Sequence, residues 1–216
     1  MFFILFKPNN KENSLRVIFY YILYCILNEI VGYSLYEIGV NSDYITFVLF
    51  TVMEFSFFCL FYIYAFPTKF IKRAIIPIWV LFVLFTIIDF FLVNQMNSFD
   101  SFAVGIESIL IILLCIYYLV AQIKRDDNLF VYSTSNFWII ISFLIYLSGL
   151  FFLYIMAETM IKSKAFKIQY TIINSVFNIL KNILLSVAMI MKPTPTDIQL
   201  QKNKDYDDLL SYKLKT

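Results

Sequence analysis

Histidine does not occur in the 216 residues of this chain. Without imidazole there is no Ser-His or Cys-His dyad, no HExxH zinc site, no histidine phosphorelay residue and no His-ligated haem. Charge is also scarce: 15% of residues are Asp, Glu, Lys or Arg, where a soluble domain carries about a quarter. The formal net charge of +2 and the lack of a basic patch interleaved with aromatics give no footprint for nucleic acid. Cys25, Cys59 and Cys115 sit far apart inside apolar runs, so they read as small buried hydrophobes, with no metal-ligand spacing. Glycine is limited to Gly32, Gly39, Gly105 and Gly149. Prolines 8, 67, 77, 193 and 195 are read as lying at or beyond helix ends. Secondary transporters build sites from helices broken by Gly or Pro, often in repeated halves, and neither feature is present. Straight helices packed as one bundle are expected.

What is present is apolar. Hydrophobic residues make up 61% of the chain and aromatic residues 20%. A bilayer core of about 30 Å needs roughly 20 apolar residues per helix. Six runs meet that length: Val17–Tyr36, Tyr44–Phe66, Ile75–Val93, Phe102–Val120, Phe137–Met156 and Ile172–Met191. The fold class is therefore an all-α membrane protein, a bundle of six transmembrane helices. Met1–Phe6 is too short to span, and residues 1–16 form an interfacial segment or the stump of a seventh helix. Residues 17–191 are the transmembrane domain, and residues 192–216 a charged, solvated cytoplasmic tail.

Sidedness follows from Lys and Arg. Placing both termini in the cytoplasm puts 13 of them inside, among them Arg16, Arg73, Arg125 and Lys192, against 3 outside, Lys162, Lys164 and Lys167. The positive-inside rule favours that orientation in a bacterial inner membrane.

Ionisable residues inside spans carry the functional signal, because each costs about 2.5–3.5 kcal/mol at the bilayer centre on insertion scales. Glu29, Glu54, Asp89 and Glu107, from four different helices, all fall in the outer half, and Lys181 lies near the midplane. Asn174, Asn178, Lys181 and Asn182 recur at i, i+4, i+7 and i+8, which places them on one face of the sixth helix, expected to look into the bundle. Tyr146, with Ser142 and Gly149 on the fifth helix, is expected opposite. Lys181 is expected to pair with a glutamate, Glu54 being closest in depth. Four carboxylates around one lysine leave an excess negative charge that a low-dielectric interior does not tolerate, which marks a candidate pocket for a proton, a cation or an amine-bearing ligand.

Two stretches carry a resemblance. Asn136–Tyr154, NFWIIISFLIYLSGLFFLY, and Ile172–Ile190, IINSVFNILKNILLSVAMI, resemble the last two helices of small bacterial multi-span membrane proteins of unknown function, often encoded beside two-component sensor kinases. In that family a further N-terminal helix usually precedes the first span. The resemblance implies a signalling role without a known ligand. A lysine in the last helix facing acids is also similar to the Schiff-base lysine of retinal proteins, but no other retinal-protein signature accompanies it, and no cofactor is expected.

The sequence thus leads to a non-enzymatic membrane sensor or signalling component with an outward-facing polar pocket. Its expected partners are the lipid bilayer and a cytoplasmic or membrane signalling protein. The alternative is a small channel, transporter or membrane-acting defence effector working as a homo-oligomer. An enzyme ranks last, since no catalytic spacing supports one.

Overall fold

The computed structural model describes residues 13–38, 43–66, 69–93, 101–124, 132, 134–160 and 163–191. Six helices result: α1 (Asn13–Glu37), α2 (Asp43–Ala65), α3 (Lys69–Ile88), α4 (Ser101–Ile123), α5 (Ser135–Met160) and α6 (Lys164–Ile190). All six are long and apolar enough to cross a membrane. Residues 13–16, assigned from sequence to the interfacial segment, belong to α1. The readings of Met1–Phe6 and of the tail from residue 192 fall outside the described residues.

The helices outrun their apolar stretches. α3 begins at Lys69 rather than Ile75, and α6 at Lys164 rather than Ile172. A helix satisfies its own backbone groups and so continues through the headgroup region, where hydropathy no longer reports it. Pro77 lies inside α3, not at its end, and its missing N–H leaves the Arg73 carbonyl without an intrahelical donor. α3 also widens into a π-helical turn over Asp89–Val93, so the expectation of uniformly regular helices fails there.

Packing is built around two central helices. α5 lies between α4 and α6, α2 lies between α1 and α3, and the halves join through α2 with α4 and α1 with α5. Aromatic rings fill the seams: Phe58 meets Phe143 edge-on at 4.0 Å between centroids, and Phe55 meets Phe82 at 4.2 Å. Such pairs add about 0.5–1.5 kcal/mol beyond their buried area. Between α5 and α6 the Phe177 ring presses on Gly149 so closely that a Cβ there would overlap it. Tight backbone approach thus supplements side-chain packing at that seam.

The outside inverts the pattern of a soluble protein. Leu81, Leu113, Phe152 and Ile190 are among many large apolar side chains left exposed, a surface suited to lipid and not to water. Buried hydroxyls bond to carbonyls one turn back, as Thr86 does to Phe82 at 2.9 Å and Ser108 to Val104 at 2.8 Å. Polar atoms satisfied within their own helix lower the cost of burial in hydrocarbon. The chain is a multi-pass membrane protein with an all-α bundle.

Coverage is uneven. Of the apolar stretches, 44% of α4 and of α5 is buried, against 11% of α1 and 17% of α6. The first and last helices bury the smallest share of their apolar stretches.

Candidate functional site

The ionisable residues that the fold brings together meet where α1, α2 and α6 converge. Glu54 stands midway along α2, buried. Lys181 is the buried charge on α6, one turn from the buried Leu185. They do not touch directly. Tyr21 of α1, 1% exposed, stands between them: its hydroxyl donates to Glu54 Oε1 at 2.6 Å and accepts from Lys181 Nζ at 3.0 Å.

A phenol serves here because it offers one donor and one acceptor on the same oxygen, which a carboxylate and an ammonium need together. Hydrogen bonds to charged groups contribute about 1.5–3 kcal/mol each. The ammonium is sheltered further by rings. Nζ lies 3.8 Å from the centroid of Tyr146, 5.5 Å from Tyr21 and 5.9 Å from Phe143. A desolvated cation–π contact of this kind is worth about 2 kcal/mol. Tyr146 is fixed in turn by its hydroxyl, 3.3 Å from that of Tyr154.

Glu107 of α4 completes the cluster. It is 2% exposed, and its Oε1 has no hydrogen-bond partner among the described residues. It lies within electrostatic range of both Glu54 and Lys181. Two carboxyls and one ammonium leave one negative charge in excess if all ionise, a smaller imbalance than four acids would impose. The arrangement can therefore hold or pass a proton along Glu54, Tyr21 and Lys181, and it can fasten α1 to α6. Among the described residues no group of three Cys, Asp or Glu side chains gathers to hold a metal ion.

The other sequence-selected residues lie elsewhere. Asp89 is buried in the π-helical turn that follows α3. Glu29 is exposed on α1, about two turns beyond Tyr21. Asn174 and Asn178 are half-buried and bond to each other, Asn178 Nδ2 donating to Asn174 O at 3.0 Å and to its Oδ1 at 3.2 Å. Asn182 is exposed, which corrects the expectation that the whole stripe faces inward: adjacent residues differ by about 100° of azimuth, so Asn182 turns away from Lys181. Ser142 is buried on α5 and bonds to Ile139 O. Tyr21, the centre of the chain of hydrogen bonds, escapes sequence reasoning, because it is one of 16 tyrosines and sits in an apolar run. Its only signal is the need of a buried Lys and Glu for a neutral go-between.

Two surface clefts are apolar and away from these residues. One of about 290 Å³ lies between α3 and α4 beside Phe82 and Leu110, and one of about 260 Å³ between α2 and α3 beside Cys59 and Trp79. In a bilayer both face acyl chains.

Compared with protein-family models, curated proteins and solved structures, the chain matches none.

Proposed function

We propose that this multi-pass protein is a non-enzymatic sensor or signalling component of an inner membrane, with both termini in the cytoplasm. The observation that carries the reading is the hydrogen-bonded chain Lys181–Tyr21–Glu54, which joins the two least buried helices across the bundle. A buried charged network that ties together the two helices with the least buried apolar surface can serve as a two-state device. Any event that changes charge near Glu54 or Glu107 changes what Tyr21 can bond to, and with it the contact between α1 and α6. The Lys and Arg distribution supports the orientation.

The test has two arms. In liposomes the reconstituted protein should carry no ion flux above that of empty vesicles. In cells, a Glu54→Gln allele at unchanged abundance should alter the transcript profile in the same genes as deletion. Protein-dependent flux with an unaltered profile contradicts the reading and favours a channel.

A further inference from the structure

Beyond the Tyr21–Lys181 contact, α1 and α6 bury little of their core-facing sides. Helical geometry of about 100° per residue places Asn28 and Gly32, seven and eleven positions after Tyr21, on the same side of α1 as Tyr21 itself. Tyr21 is buried, yet Asn28 is only half-buried, and a Cβ built at Gly32 meets nothing within 4 Å. On α6, Asn174 shares the side of the buried Lys181 and Leu185 but is half-buried. Among the described residues, both core-facing sides are thus uncovered toward the α1 C-terminus and the α6 N-terminus. The two helices form the walls of an open trough, with Tyr21 and Lys181 at its closed end.

The azimuths identify the lining. Tyr24 bonds to Leu49 O and stacks on Phe50 of α2, and Glu29 lies on the other side of Tyr21 from it, hence away from α2. On α6, moving round from Phe177, which packs on Gly149 of α5, the order is Lys181, Asn174, Asn178. Asn28 therefore faces Asn174 across the trough, and Glu29 and Asn178 stand at its open rim. Depth agrees: Glu29 is about 12 Å beyond Tyr21, and Asn174 about 10 Å beyond Lys181, at 1.5 Å per residue. Glu29 is also about 12 Å from the end of α1, inside a hydrocarbon layer of about 30 Å.

We infer that this trough docks a transmembrane helix of a partner protein that carries one lysine or arginine at the depth of Glu29. Charge complementarity selects the occupant. Glu29 is exposed and makes no ion pair among the described residues. Lys181 is engaged by Tyr21 and Tyr146, and Lys167 stands about 10 Å nearer the mouth than Asn174. A second copy of this chain brings no free cation at that depth among its described residues. Hydrocarbon cannot solvate a carboxylate flanked by amides, whereas a basic side chain on a neighbouring helix can, with the asparagines as further hydrogen-bond partners. The inference deepens the signalling reading by stating the kind of partner. Docking itself rests only on the membrane-spanning fold.

The test uses the full chain in phosphatidylcholine vesicles with synthetic polyleucine transmembrane peptides, one carrying a single lysine placed at the Glu29 depth and one carrying none. Energy transfer from labelled protein to the lysine peptide should show association at least tenfold tighter than to the plain peptide. Glu29→Gln should remove that difference. Gly32→Leu, which the open space accommodates, should weaken docking by filling the trough. Leu113→Ala, at an exposed position on α4, should leave docking intact, and since docking is read from Glu29 and the signalling assay from Glu54, failure of the signalling assay and failure of docking are separate results. Equal transfer to both peptides overturns the inference, as does lysine-peptide binding that persists in Glu29→Gln. Full displacement of the lysine peptide by dodecylammonium assigns the trough to a cationic amphiphile and overturns it. Self-association of the protein that the lysine peptide cannot reverse assigns it to a second copy and overturns it too.

Discussion

Lys181 and Tyr21 stand 160 positions apart and share a 3.0 Å hydrogen bond in the buried centre of the bundle. That bond is useful only because the same phenol also donates to Glu54 at 2.6 Å. Charge on the last helix is thereby communicated to the second through the first.

Tyr21→Phe keeps the ring packing against Phe143 and Phe57 and removes the oxygen, so unfolding in micelles should lose about 1.5–3 kcal/mol. Lys181→Met should cost more, about 3–5 kcal/mol, because it strands a buried carboxyl. The double variant should cost less than the sum, since both changes break one network. Strict additivity contradicts the coupling.

The ring over Lys181 should be separable from its hydroxyl. Tyr146→Phe retains the face 3.8 Å from Nζ and should stay within about 1 kcal/mol of the native protein, whereas Tyr146→Leu should lose about 2 kcal/mol. Equal losses on the same denaturation assay would show that the Tyr154 hydrogen bond, and not the cation–π contact, is what matters.

Glu107 and Glu54 should respond differently. Glu107 Oε1 has no partner among the described residues, so Glu107→Gln breaks no hydrogen bond at that oxygen and should leave stability unchanged to within about 1 kcal/mol. Glu54→Gln removes the acceptor from Tyr21 and should destabilise. Thermal melts in one detergent compare them directly, and a large loss in Glu107→Gln contradicts the assignment.

At the α5–α6 seam, Gly149→Ala should cost about 1–3 kcal/mol by overpacking against Phe177. Adding Phe177→Leu should recover part of that loss. No recovery would place the strain elsewhere.

Orientation is open to reporter fusions. Fusions after Arg73 and Arg125 should report cytoplasm, and one at Ser98 the outside. A periplasmic signal at Arg73 reverses the topology.

The number and type of helices were legible because hydrocarbon sets a length that apolar runs must match. Their ends were not: Lys69, Lys72 and Arg73 lie in a helix beyond the reach of hydropathy. Depth was legible and azimuth only partly so. The i, i+4, i+7 spacing groups Asn174 and Asn178 with Lys181, but position 182 already leaves that side, and nothing in the sequence shows that Glu29 faces outward while Glu54 faces inward. Tyr21 was hidden by the abundance of tyrosine, and its role emerges only where three helices meet.

The central claim is that the Lys181–Tyr21–Glu54 chain sets the contact between the two least buried helices. Electron-spin distance measurement between labels at Ser34 on α1 and Thr171 on α6, both exposed, reads that contact directly, with the native cysteines replaced by alanine. In nanodiscs the otherwise unaltered protein should give one narrow distribution, and Tyr21→Phe and Lys181→Met should each broaden it and move it to longer distances. Distributions that stay superimposable across all three proteins would contradict the account.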